Sequence, residues 1–252
     1  MNPFSLEEKH IVISGASSGI GQQCAINCAA MGAKVSILGR NIDRLRITQS
    51  QMIGNVHKYY IVDLTVEDDV KETVNRIISD NGRINGLLNV AGISTTLLMK
   101  SVSRKKLDEL FNNNVYTSFF LTKEVCKMGH FSQEGGSVVF FSSVMGSFGE
   151  KGKSLYAMTK GALQAGAKSF ACELASKNIR VNTISPGVII TPTNENLLHI
   201  RDKDKRHEWK SKHLQGLGKA EYVANACIYL LSNASKWVTS INLFVDGGYS
   251  AI

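Results

Sequence analysis

No apolar run in this sequence approaches the roughly 18 residues that a membrane-spanning helix needs. The opening MNPFSLEEKH also lacks the charged n-region and apolar h-region of a secretory signal. A cytoplasmic protein with no membrane partner is expected. Cysteine is sparse, odd in number and scattered: Cys24, Cys28, Cys126, Cys172 and Cys227 form no CxxC pair and have no histidine at ligand spacing. Cys24 and Cys28 share a helical face and read as buried thiols, so no metal site is expected. There is no low-complexity run and no Pro/Gly/Ser-rich linker, so a single domain covering 1–252 is expected. Acids are outnumbered, 21 Asp and Glu against 29 Lys and Arg, for a net charge of +8. Nucleic acid is a weak candidate partner, because the densest basic patch, RDKDKRHEWKSKH at 201–213, has neither aromatic interleaving nor a nucleic-acid-binding motif. That patch reads as a solvated, mobile segment or as a lid facing an anion.

What the chain does have is a rhythm. HIVISG, AKVSILG, KYYIVDL, INGLLNVAG, GGSVVFFSS, IRVNTISPG and SINLFVDGG are short and nearly all apolar, the pattern of strands buried on both faces of a parallel sheet. Helix-length segments such as GIGQQCAINCAAMG and KGALQAGAKSFACELASKN separate most of them. Such alternation specifies right-handed crossovers and a doubly wound α/β fold: a seven-stranded parallel sheet flanked by helices. Pro186 and Pro192 are expected to exclude regular structure from SPGVIITPTN at 185–194. The insertion at 190–215, before a helix near 219–232, is the expected substrate lid, since ligands of open α/β sheets bind beyond the carboxyl ends of the strands.

Two stretches carry chemistry. SGASSGIG places Gly15, Ser17, Ser18, Gly19, Ile20 and Gly21 in a turn that opens a helix, where backbone can approach a pyrophosphate and the helix N-terminus can meet its charge. The spacing is GxxxGxG. SLYAMTKGAL sets Tyr156 and Lys160 four residues apart, on one helical face. Alone, such a pair is an ordinary pair of surface neighbours; in a buried site the ammonium can lower the phenol pKa from about 10.

With NVAG at 89–92 and SPG at 185–187, these motifs resemble the classical short-chain dehydrogenase/reductase family, from Gly15 to VDGG at 245–248. The resemblance implies a Rossmann-type fold and a catalytic set of Asn114, Ser143, Tyr156 and Lys160. Ser142 is the rival of Ser143, and Asn112 and Asn113 leave the register of Asn114 open. Tyr156 would be the acid/base, Lys160 would lower its pKa and bind the nicotinamide ribose, Ser143 would orient a substrate carbonyl, and Asn114 would hold a relaying water. The resemblance also implies that Asp63 and Leu64 meet the adenine, with Thr65 an alternative helix cap paired with Asp68. Asn89 would steady the central strand, Ala91 and Gly92 would let the cofactor approach, and Pro186, Gly187, Ile189 and Thr191 would face the nicotinamide. At the end of the second strand, where an acid would bind a ribose 2'-hydroxyl, stand Gly39 and Arg40, which favours NADP(H) over NAD(H) because an arginine can bind the 2'-phosphate.

The expected activity is reduction of a ketone or other carbonyl to a secondary alcohol. Within the family the chain looks most like 3-oxoacyl-(acyl-carrier-protein) reductases, but Cys172 stands where those commonly have an arginine. A catalytically silent NADP-binding regulator is the reading from another class, opposed by the intact Asn, Ser, Tyr and Lys set. The substrate is expected to be a small carbonyl or alcohol compound, anionic or thioester-linked. Leu97, Leu98, Met99, Phe148 and Leu197 suggest a partly apolar pocket for it. By resemblance a homotetramer is expected, or else a homodimer, with Gly161, Ala165 and Gly166 permitting close helix packing.

Overall fold

A computed structural model describes residues 2–191, 207 and 209–251. Its strands β1 (His10–Ser14), β2 (Lys34–Gly39), β3 (Lys58–Ile61), β4 (Gly86–Asn89), β5 (Gly136–Phe141), β6 (Ile179–Pro186) and β9 (Asn242–Val245) form one all-parallel sheet in the order β3-β2-β1-β4-β5-β6-β9. Each matches an apolar run of the sequence. Between them lie helices α1 (Gly19–Ala30), α2 (Ile42–Gln51), α3 (Glu67–Asn81), α4 (Arg104–Phe111), α5 (Thr117–Val125), α6 (Ser154–Leu174) and α7 (Ala220–Leu231).

Strand side chains alternate between two cores, as a period of two requires. Ile11 and Ile13 of β1 pack with Cys24, Ala25 and Cys28 of α1 and Val223, Ala224 and Cys227 of α7. Val12 faces the other way, toward Val70, Val74 and Ile77 of α3, Leu121 of α5 and Leu163 and Ala167 of α6. Cys24, Cys28 and Cys227 are therefore core thiols: the neighbouring Cys227 thiol and then burial raise the Cys24 pKa well above that of a free thiol, and burial raises that of Cys28.

Two local expectations fail. Pro186 is the last residue of β6, paired with Val245, where a residue without an N–H does no harm, and Ile189–Ile190 form a short strand β7 on β8 (Gly218–Lys219). Thr65 does not cap α3: the N-cap is Val66, while Thr65 donates both its N–H and hydroxyl to Asp63 Oδ1, at 3.0 and 2.7 Å. Most of the expected lid at 190–215, including Pro192 and Leu197, lies outside the described residues.

Polar groups are also buried at the N-terminal ends of the strands. His10 Nε2 contacts Ser36 Oγ at 2.8 Å, Nδ1 lies 3.2 Å from the Gly82 carbonyl, and Asn81 Nδ2 donates to Ser36 Oγ and to Tyr60 Oη. Tyr60 donates onward to Asp80. Burial lowers the His10 pKa to about 4.

Candidate active site

The carboxyl ends of the strands open into a cleft of about 1420 Å³. Its floor is the turn between β1 and α1. Gly15 (φ 67°) and Gly19 (φ 59°) adopt left-handed backbone that glycine tolerates best. A Cβ on Gly15 would lie 2.8 Å from the Ala91 backbone, and one on Gly21 only 2.3 Å from the Gly15 carbonyl, so these glycines set the turn tightly against β4 and α1. Gly19 differs: its missing Cβ would point across the cleft toward Thr191, 3.5 Å away. The α1 N-terminus has no side-chain cap and no acid in its first turn, whereas α3 carries Glu67, Asp68 and Asp69 there. Its free N–H groups and positive dipole end suit an anion, and the glycine cradle fits the pyrophosphate of a dinucleotide. Ser17, Ser18 and Ile20 line the same wall.

At the end of β2, Gly39 packs on Leu45 and exposed Arg40 lines the cleft beside Asp63 and Leu64. The Thr65 hydrogen bonds, and then the Arg40 charge, hold the Asp63 carboxyl below its usual pKa. Asn89 lies behind the cleft, donating to Thr122 Oγ1 at 2.9 Å.

Ser143, Tyr156 and Lys160 converge on the opposite wall together with Asn113, and Asn114 lies buried behind it. Helix α4 runs into α5 through one wide turn, in which the Thr117 N–H reaches back five residues to the Asn112 carbonyl. Thr117 Oγ1 and Ser118 Oγ bond to the Asn113 and Asn114 carbonyls, compensating for the widened ladder. Such π-turns concentrate at functional sites, and this one carries Asn114. Asn114 is fully buried; it accepts from the Ile93 N–H (2.7 Å) and donates to the Ile93 carbonyl (2.9 Å) and Thr159 Oγ1 (3.0 Å). Asn113 only donates to the Glu109 carbonyl on its own helix. A Cβ on Gly92 would come within 3.0 Å of Asn114 Oδ1 and 3.5 Å of Lys160 Nζ, so glycine there leaves room beside both.

The serine pair separates by its bonds. Ser142 Oγ donates to the Lys160 carbonyl and accepts from Gln164 Nε2, which ties it into α6. Ser143 Oγ accepts from the Met145 N–H at 3.2 Å, and its hydroxyl faces Tyr156, whose pKa it lowers. Lys160 Nζ donates to the Phe141 carbonyl at 2.7 Å and stands 5.7 Å from the centre of the Tyr156 ring. The electrostatics depart from expectation. Burial raises the Tyr156 pKa, opposed only by the Ser143 hydrogen bond, and burial pushes Lys160 down to about 8. The ammonium bonds the Phe141 carbonyl and stands over the ring, burial is the dominant influence on the phenol, and Tyr156 holds its proton at neutral pH.

The rim was least legible. Trp209, Lys212, His213 and Tyr249 line the cleft beside Pro186, Gly187, Ile189 and Thr191. The Val188 N–H donates to His213 Nε2 (3.1 Å) while His213 Nδ1 meets the Trp209 carbonyl (2.7 Å), which fixes the neutral Nδ1–H tautomer. The described end of the basic segment thus packs on the cleft; it is not a wholly solvated run. Leu97, Leu98, Met99 and Phe148 do not line it and Leu197 lies outside the described residues; Ser94, Thr95, Thr96, Glu150 and Lys153 line one side, while Val144, Met145, Val188, Ile189 and Trp209 keep the cleft partly apolar.

A family model described as enoyl-(acyl carrier protein) reductase matches residues 15–250. The chain belongs to the short-chain dehydrogenase/reductase family and is an oxidoreductase of that class. It is similar to the 3-oxoacyl-(acyl-carrier-protein) reductase of Thermotoga maritima, 35% identical over 96% of this chain and 98% of that one. The gluconate 5-dehydrogenase of Gluconobacter oxydans is 32% identical over 97% of this chain and 96% of that one. Among solved structures, an Agrobacterium tumefaciens protein described provisionally as a 2-deoxy-D-gluconate 3-dehydrogenase, with bound NADP, superposes with a TM-score of 0.89 at 30% identity, covering 100% of both chains. No described helix is long and apolar enough to cross a membrane, and no described His, Cys, Asp and Glu cluster could hold a metal ion.

Proposed function

We propose that this protein is an NADP(H)-dependent reductase that converts a ketone or other carbonyl to a secondary alcohol, with Tyr156 as proton donor. The convergence of Ser143, Tyr156 and Lys160 on one cleft, with Asn114 buried behind it, carries this reading, with the phenol held protonated by burial. When bound, the nicotinamide supplies the hydride. Gly15, Ser17, Ser18, Gly19, Ile20 and Gly21 hold the pyrophosphate, Asp63 and Leu64 the adenine, and Ala91, Gly92, Pro186, Gly187, Ile189 and Thr191 the nicotinamide side. Asn89 braces β4 behind them.

Ser143 donates a hydrogen bond to the substrate oxygen while Tyr156 transfers its proton there. Lys160, protonated below about pH 8, stabilises the phenolate left behind. Asn114, locked on Ile93, positions a water between lysine and solvent. Arg40, at a strand end that offers no carboxylate, binds the 2'-phosphate and favours NADP(H); NAD(H) is the weaker cofactor.

The names of the relatives suggest two candidate kinds of substrate, a carrier-bound thioester and a sugar acid. The thioester reading would need a docking charge on α6 where exposed Cys172 stands. We infer a cytoplasmic homotetramer, with a homodimer as the smaller form, associating through the face of α5 and α6 that exposes Phe119 and Met158. Segment 190–215 would serve as the substrate lid of the single domain. The test is NADPH consumption with acetoacetyl thioesters, simple ketones and keto sugars, with NADH and Tyr156→Phe in parallel. Turnover with NADPH that the variant loses supports the reading; tight NADPH binding without turnover of any carbonyl would replace it with a silent cofactor-binding protein.

A further inference from the structure

Lys153 is unexplained by the chemistry above. It immediately precedes α6, three residues before Tyr156, and a cation at a helix N-terminus opposes the dipole. It is half-buried in the cleft wall, and desolvation lowers its pKa. Its Nζ lies 5.9 Å from the centre of the Tyr156 ring, close to the 5.7 Å of Lys160, and donates to Thr96 Oγ1 (2.7 Å) and the Thr95 carbonyl (3.3 Å). Both acceptors are neutral. Among the described residues no carboxylate is within ion-pair distance; Glu150, also in the cleft, acts on it only from farther away. A neutral amide could make the same two bonds, so the charge itself needs a partner.

We propose that Lys153 binds a carboxylate of the substrate, so that the carbonyl compound this enzyme reduces is an oxo acid with its carboxylate a few bonds from the reacting carbon. With the carbonyl oxygen at Tyr156 and Ser143, the same molecule reaches Lys153 along a wall of Ser94, Thr95 and Thr96, whose polar groups suit an acid. One ammonium with Glu150 nearby matches a monoanion better than a phosphate dianion. The proposal rests on the reductase reading, and its test separates the two.

Turnover of pyruvate, acetoacetate and levulinate with NADPH is compared with that of their methyl esters and of the neutral diketone diacetyl, in the wild type, Lys153→Gln and Lys153→Arg. The glutamine keeps a donor for Thr96 without the charge. A charge-assisted bond is worth about tenfold or more, so at least one acid should exceed its ester by that factor in kcat/KM, chiefly through KM. Lys153→Gln should lose about tenfold or more on that acid but under about threefold on the ester, and Lys153→Arg should restore most of it. Equal losses on acid and ester, or no preference for acids in the wild type, overturn the proposal and make Lys153 a strut for the 95–96 loop. If no carbonyl compound reacts, the reductase reading fails separately. Binding of the same acids to the NADPH-loaded protein then decides: about tenfold weaker binding in Lys153→Gln supports the anion site, and unchanged or absent binding overturns it.

Discussion

At the N-terminal ends of the strands, His10 is sealed against Ser36 and Gly82, and the bonds run on through Asn81 and Tyr60 to Asp80. At the carboxyl ends, Lys160 is just as buried but rests on a single carbonyl, and Tyr156 meets only Ser143. Both ends depart from the rule that interiors are apolar. The first is a network whose buried members satisfy one another and which ends at the surface on the Asp80 carboxylate, itself paired with Lys58, and it stabilises a unique packing. The second leaves a charge and a phenol short of partners at the edge of a cleft, an arrangement that costs the fold stability and is explained by a ligand.

The most damaging way to break the comparison is at the open end. Tyr156→Phe removes the proton and little volume; turnover should fall by about 10²–10⁴, the usual worth of a general acid, while the melting temperature stays level or rises. Steady-state kinetics beside calorimetry check both halves. At the closed end the expected effect is on stability alone. His10 has its folded pKa near 4, below an unfolded value of about 6.5, so its contribution is complete above pH 6.5 and is lost as pH falls toward 4. The loss should total about 3 kcal/mol, at about 1.4 kcal/mol per unit. Urea unfolding between pH 7 and 4 measures it, and His10→Gln should flatten the dependence by about one proton. A smaller effect sharpens the cofactor side: Arg40→Glu should cost about tenfold to a hundredfold in kcat/KM with NADPH and leave NADH nearly unchanged, since the loss is of a charge-assisted phosphate contact.

Most of the sheet was legible because strands buried on both faces must be nearly all apolar, and every such run became a strand. The glycine turn and the Tyr156–Lys160 pair were legible because their spacing is itself the geometry. What escaped depended on contacts distant in sequence. The bonds that set Ser142 apart from Ser143 run to Gln164 and the Lys160 carbonyl, and those that set Asn114 apart from its neighbours run to Ile93 and Thr159. Thr65 looked like a cap, but its hydroxyl found Asp63 first. The place of Thr95 and Thr96 on the cleft was missed because Leu97 and Leu98 adjoin them in the same loop, and sequence alone does not say which of the four face it. Nothing in HIVISG marked its histidine as the hub of a network.

The charge on Lys160 is held at the expense of the fold. Its folded pKa near 8 lies below an unfolded value of about 10.4, so the penalty is complete below pH 8 and is relieved as pH rises toward 10.4; it amounts to about 3 kcal/mol. Losing the bond to Phe141 gives back about 1 kcal/mol. Melting temperature and turnover of Lys160→Met at pH 7 are the direct test. The account expects the variant to melt a few degrees higher, from a net gain of about 1–2 kcal/mol, with turnover reduced by about a hundredfold or more. A variant that melts lower and still turns over substrate would contradict it.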